Sequence, residues 1–101
     1  MAVLESKIEK DFVKKAMQEY SCIAFKFKRE GIKGGSDRLI FCPNGHSFFI
    51  EFKRPGGIIS PHQEEFKLMM IEFSKKVYYC YTFKEAIEAL KFELIIDRKL
   101  L

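Results

Sequence analysis

The run Phe48-Phe49-Ile50-Glu51-Phe52-Lys53 is apolar at consecutive positions before its first charge. Side chains alternate between the two faces of a strand, so a strand apolar at neighbouring positions has to be covered on both. That requires a layered sheet with this strand near its centre. Ionised groups are expensive in such a place unless they are paired or hold a cation. Glu-x-Lys alone is a common same-face charge pair on a strand. Here the two charges emerge at the end of a buried strand, where their presence needs a reason.

The chain has 101 residues, enough for one domain with a single core. No repeat, low-complexity tract or linker divides it, so residues 1–101 read as one domain. Eleven phenylalanines give a large buried area per position, which helps so short a chain. The three cysteines Cys22, Cys42 and Cys80 are widely spaced and each lies in an apolar run. Neither a zinc site nor a disulfide framework is suggested, and buried thiols in a reducing compartment are expected. The N-terminal MAVLESKIEK is charged where a secretory signal is apolar, and no apolar run approaches a membrane span. A cytoplasmic protein with no membrane partner is therefore expected.

From Glu5 to about Tyr20 the positions Ile8, Phe12, Val13, Ala16 and Met17 follow helical spacing, and Glu5 and Glu9 share a face one turn apart. Cys22 to Phe27 reads as a strand, and the glycine-rich Gly31 to Ser36 as a loop. Arg38 to Cys42 and Ser47 to Phe52 form a hairpin around Pro43-Asn44-Gly45. Ser60 caps a helix whose first residue is Pro61 and whose apolar stripe is Phe66, Met69, Met70 and Phe73. Val77 to Tyr81 is a further strand. Thr82 and Glu85 resemble a capping box opening a helix that carries Ala86, Ile87, Ala89 and Leu90. From Glu93 the chain either extends that helix or forms a separate element, with Leu94, Ile95 and Ile96 available to a partner chain. The order αβββαβα is a mixed α/β layered fold.

The hairpin's register decides what Glu51 faces. A two-residue Asn44-Gly45 turn pairs Pro43 with His46 and puts Asp37 on the face opposite Glu51. A three-residue loop centres a type I turn on Pro43 and Asn44, with Gly45 as the left-handed bulge residue. It pairs Cys42 with His46 and sets Asp37 directly across from Glu51. Proline's fixed φ suits the first central position, which favours the second register. Asp37, Glu51 and Lys53 then share one face. Two carboxylates held together repel each other, and a hard divalent cation such as Mg²⁺ or Mn²⁺ resolves this while leaving room for water and a phosphate. Such a cation offsets charge on a scissile phosphate, and a lysine beside it holds the attacking water or the developing charge.

The net charge is +4, compatible with a polyanionic partner. Lys26, Lys28, Arg29, Lys33 and Arg38 fall in one stretch interleaved with Phe25 and Phe27. They form either a solvated strand end and loop or a phosphate-facing edge beside Asp37, to which Arg54 adds a charge. Ser60-x-x-Gln63 fits a capping box, which gives Gln63 a purely structural role beside any role at the site. His62 reads as a solvated or phosphate-touching group at a helix start. His46 reads as a turn residue, and Tyr78, Tyr79 and Tyr81 as packing groups.

Gly34-Gly35-Ser36-Asp37, then Phe49-Ile50-Glu51-Phe52-Lys53-Arg54, then Ile59-Ser60-Pro61-His62-Gln63 resembles the VRR-NUC family of virus-type replication-repair nucleases, a branch of the PD-(D/E)XK superfamily. The resemblance runs from the first helix to the strand near Tyr79. Its specific part is Glu-x-Lys-Arg followed at this interval by Ser-Pro-x-Gln. Ser36 stands where the family often has proline. The resemblance implies a restriction-endonuclease-like αβββαβα core with a mixed central sheet. It implies Mg²⁺ or Mn²⁺ on Asp37, Glu51 and the Phe52 carbonyl, with Lys53 as the catalytic lysine and Gln63 orienting Lys53 or the water. It also implies an acid on the first helix, Glu5 by preference, with Glu9 as the alternative. The family's stand-alone form resembles viral enzymes that resolve four-way junctions. That leads us to expect a structure-selective DNA endonuclease, acting as a homodimer in the host cytoplasm if the chain is viral. The alternatives are a flap or duplex-end nuclease of the same chemistry, or a nucleic-acid-binding module without catalysis.

Overall fold

Helical spacing at the N-terminus and apolar β runs beyond it become seven elements in a computed structural model that describes residues 5–28 and 37–95. They are α1 (Glu5–Tyr20), β1 (Ile23–Phe27), β2 (Asp37–Phe41), β3 (Ser47–Phe52), α2 (Pro61–Glu72), β4 (Val77–Cys80) and α3 (Phe83–Ile95). The expected order αβββαβα is the observed one. The strands form a single sheet in the order β1-β2-β3-β4. β1, β2 and β3 pair antiparallel, and β4 joins β3 in parallel after the α2 crossover. The doubly apolar strand β3 is thus flanked on both sides and buried from Phe48 to Phe52.

Alternation along β2 and β3 sorts the core into two layers. Ile40, Phe48, Ile50 and Phe52 meet Ile8, Phe12 and Ala16 of α1 and Ala86 and Leu90 of α3. Leu39 and Phe49 meet Phe66 and Met70 of α2 on the other face. Phe12 and Phe52 pack with ring centroids 5.5 Å apart, and Phe27, Phe49 and Phe66 form a trio with centroids 5.1–5.7 Å apart. Pairs of this kind add about 0.5–1.5 kcal/mol beyond their buried area.

The three-residue loop is the one that forms. Gly45 N–H donates to the Cys42 carbonyl at 2.9 Å, closing the turn over Pro43 and Asn44, and Cys42 N–H donates to His46 O at 2.8 Å. Gly45 has φ 90°, the left-handed conformation the bulge requires.

Two expectations change in detail, for the α2 stripe and for His46, and the open choice at Glu93 is decided. Of the α2 stripe, only Phe66 is buried and Met70 half-buried, while Met69 and Phe73 are exposed. The helix presents the line through Gln63, Phe66, Lys67 and Met70 to the sheet, which turns Met69 and Phe73 off its flank. The segment from Glu93 continues α3 as far as Ile95. Leu94 packs on the core and Ile95 is exposed, and Ile96 lies outside the described residues. His46 is not a bare turn residue. The register puts it on the same face as Phe48, where it is buried with Nδ1 3.5 Å from Glu93 Oε1.

Candidate active site

β3 and β4 run parallel, so their C-terminal ends lie together, and the chain leaves β3 through the turn Arg54-Pro55-Gly56-Gly57. Gly57 N–H donates to the Arg54 carbonyl at 2.8 Å, with Gly56 at φ 78° as the second central residue. This turn returns the chain over the sheet end and lets α2 start beside Glu51. Ser60 is its N-cap, with Oγ accepting from Gln63 N–H at 3.2 Å and Gln63 Oε1 accepting from Ser60 N–H at 2.8 Å. The expected capping box is present in both directions.

The same Gln63 side chain also faces the sheet. Its Nε2 donates to Glu51 Oε1 at 2.9 Å, and its Oε1 accepts from Lys53 Nζ at 2.7 Å. Lys53 Nζ stands 3.9 Å from Glu51 Oε1 and donates to the Ile58 carbonyl at 3.4 Å. Glu51 is 2 % exposed, so the lysine and the amide together offset the cost of burying its carboxylate. Tyr79, paired with Glu51 across β3 and β4, donates from its hydroxyl to Gln63 O at 3.0 Å and steadies the first turn of α2.

Arg38 pairs with Ile50, Leu39 with Phe49 and Ile40 with Phe48. This is the register that opposes Asp37, the next residue of β2, to Glu51. The side chains of Asp37 and Glu5 lie outside the description, as do Arg29 and Lys33. Among the described residues, no three His, Cys, Asp or Glu side chains converge as a metal-binding group.

Glu9 and Arg38 sit on the other face of the sheet. Arg38 shares a face with Ile50, beneath α1, and its Nε donates to Glu9 Oε1 at 3.0 Å while Nη1 donates to the Ala24 carbonyl at 3.3 Å. Both side chains are nearly enclosed. Lys26, Lys28 and Arg54 are exposed, as is His62 at the start of α2.

Sequence reasoning missed Glu93, buried at the end of α3. It accepts from the Tyr78 hydroxyl and approaches His46, while Asn44 Nδ2 donates to the carbonyls of Glu93 and Leu94 at 3.0 and 3.2 Å. Burial and this acceptor carboxylate push the Tyr78 phenol well above its ordinary range. The signal was there: Glu93 falls three and four residues after Leu90 and Ala89, on the buried stripe of its helix.

No family model matches the chain. Over 61 residues it is 39% identical to a protein named "Putative nuclease p44" from Acyrthosiphon pisum secondary endosymbiont phage 1, a match covering 60% of this chain and 64% of that protein. The chain thus spans a little under two thirds of that relative's length. A solved structure described as a VRR_NUC domain matches over 86% of this chain and 94% of its own, with TM-score 0.71 and 23% identity. The chain has the fold of that domain, a four-stranded mixed sheet between helices. No helix among the described residues is long and apolar enough to cross a membrane.

Proposed function

We propose that this chain, carrying the VRR_NUC fold, is a Mg²⁺- or Mn²⁺-dependent endonuclease that hydrolyses DNA phosphodiester bonds. The observation that carries the reading is the buried Glu51 tied to Lys53 through one glutamine amide at the end of the central strand. The relative named as a nuclease and the sequence motif around these residues support the same chemistry. Asp37, Glu51 and the Phe52 carbonyl are the oxygen donors for the cation, a set suited to a hard ion. Among the described residues the contacts to Glu51 fall on Oε1, and in this reading Oε2 meets the cation. When bound, that ion supplies charge compensation at the scissile phosphate and acidifies a water.

The chain's own groups do the rest. Gln63 fixes the carboxylate of Glu51 in one rotamer and holds Lys53 Nζ beside it. Two of the three ammonium N–H groups go to Gln63 and Ile58. In this reading the third holds the attacking water or meets the charge developing on the phosphate. Glu5, one turn before Glu9 on α1, is the first-helix acid in this reading, because Glu9 is engaged by Arg38.

The substrate in this reading is branched DNA, a four-way junction cut by a homodimer whose two-fold axis relates two nicks. Exposed Lys26, Lys28 and Arg54, with Arg29 and Lys33, are phosphate contacts that carry no base information. Arg38 is directed inward and belongs to the core instead. Cleavage of junction, flap and plain duplex substrates with Mg²⁺ and with Mn²⁺ tests the reading. Equal cutting of all three removes junction selectivity, and DNA binding without cleavage in either metal removes the enzyme.

A further inference from the structure

Two of the three cysteines, twenty positions apart in sequence, meet in the fold. Ile23 pairs with Phe41, and continuing the β1–β2 register by one residue sets Cys22 directly across from Cys42. The Cys22 N–H and both backbone groups of Cys42 are engaged elsewhere than across this pair. Cys22 N–H donates to the Ala16 carbonyl at 2.9 Å, and Cys42 uses both its N–H and its C=O within the hairpin, toward His46 and Gly45. The pair is therefore a non-hydrogen-bonded one, the kind in which opposed Cα atoms approach to about 4.5 Å and side chains lie closest. That separation falls inside the span a disulfide bridges. Both side chains project under α1 and α3, where both cysteines are buried and their thiols interact with each other.

We propose that Cys22 and Cys42 form an intramolecular disulfide when the protein meets a small-molecule disulfide oxidant, and that the bond locks the hairpin end of the sheet without touching the candidate active site. In the first step the thiolate of one of the two cysteines attacks one sulfur of the oxidant, giving a mixed disulfide and releasing one thiol. The sulfur of the other cysteine then attacks the first, forming the Cys22–Cys42 bond and releasing the second thiol. The two cysteines lose two electrons and two protons, and the oxidant gains them as its two thiols.

Burial pushes both thiols up, Cys42 to about 12, and Cys22 Sγ donates to the Tyr20 carbonyl at 3.5 Å. Reaction is accordingly slow in the closed fold. β1 and β2 are antiparallel, so the pair lies at the opposite end of the sheet from Phe27 and Asp37. The bond closes a loop of about twenty residues, and its removal of unfolded-state freedom raises the melting temperature by on the order of 10 °C. The proposal stands apart from the nuclease reading.

The full chain is incubated with glutathione disulfide, with and without dilute urea to promote opening, then mapped by mass spectrometry and melted. A Cys22–Cys42 cross-linked peptide, a single remaining thiol at Cys80, and a higher melting temperature that dithiothreitol reverses support the proposal. In Cys80→Ala the bond still forms, and in Cys22→Ala it does not. Three unreacted thiols in both conditions overturn it, as do bonds linking separate chains or a bond that lowers the melting temperature.

Discussion

Gln63 joins the start of α2 to the central strand by donating from Nε2 to Glu51 Oε1 at 2.9 Å. The other end of the same amide accepts from the Ser60 backbone and from Lys53 Nζ, at 2.8 and 2.7 Å. Capping and contact with the charged pair are therefore compatible roles of one side chain. The orientation follows from the partners: a backbone N–H and an ammonium both require an oxygen, and a carboxylate requires the NH₂. Helix α2 cannot shift along the sheet without disturbing both charges.

The two roles separate by substitution. Gln63→Ala removes half of the capping box and costs about 1 kcal/mol of stability, while unpinning Glu51 and Lys53. Gln63→Glu keeps an oxygen for Ser60 and Lys53 but sets a second carboxylate against Glu51. Melting curves should place the Glu variant above the Ala variant at low pH, where the new acid is protonated, and both should cut DNA at least about tenfold more slowly than wild type at neutral pH. Wild-type cleavage by Gln63→Ala would reduce Gln63 to a cap.

Lys53 and Glu51 should fail in different ways. Lys53→Ala leaves the carboxylates and is expected to bind Mn²⁺ with unchanged affinity by calorimetry while cleavage falls by about 10²–10³. Glu51→Gln removes a ligand charge and should lose both cation binding and cleavage. The two variants losing Mn²⁺ affinity equally would contradict the separate roles assigned to them.

What could be read from the sequence was local in origin. The bounds of α1, the cap at Ser60 and the hairpin register all follow from spacing and turn chemistry within a few residues. The register is the instructive case, because the turn chemistry of Pro43 and Gly45 at the tip reveals which residue of β2 stands opposite Glu51. Contacts that depend on how layers pack were not legible. Glu9 meets Arg38 across 29 positions and His46 meets Glu93 across 47, and neither pair has a spacing that announces it. Met69 and Phe73 had the right period for the core, but α2 turns the line through Gln63, Phe66 and Met70 to the sheet and leaves them exposed, and spacing within the helix does not say which line the sheet selects.

Gly45 offers a direct test of the register. At φ 90° any residue with a Cβ is strained, so Gly45→Val should cost about 1–3 kcal/mol. The strain sits at the far end of the hairpin from Glu51. Cross-strand contacts between Leu39 and Phe49 should persist by NMR, with cleavage near wild type at temperatures where the variant is folded. Loss of those contacts in a folded variant would mean that the loop alone, without the core, holds the register.

The Glu9–Arg38 pair lets stability and nucleic-acid binding be told apart. Both side chains are nearly enclosed, 11% and 14% exposed, with the ion pair at 3.0 Å. Removing one partner leaves an uncompensated charge beneath α1, so Glu9→Ala should destabilise by about 3–5 kcal/mol, whereas Glu9→Leu with Arg38→Met should recover most of that loss. A double-mutant cycle by denaturant titration measures the coupling. Arg38→Met should leave the salt dependence of DNA binding unchanged when measured in the Glu9→Leu background, because its guanidinium is turned inward. Lys26→Ala and Lys28→Ala, at exposed positions on the same edge, should each lower the slope by about one unit. A drop of that size for Arg38→Met, or none for either lysine, would contradict a phosphate-binding edge at Lys26 and Lys28.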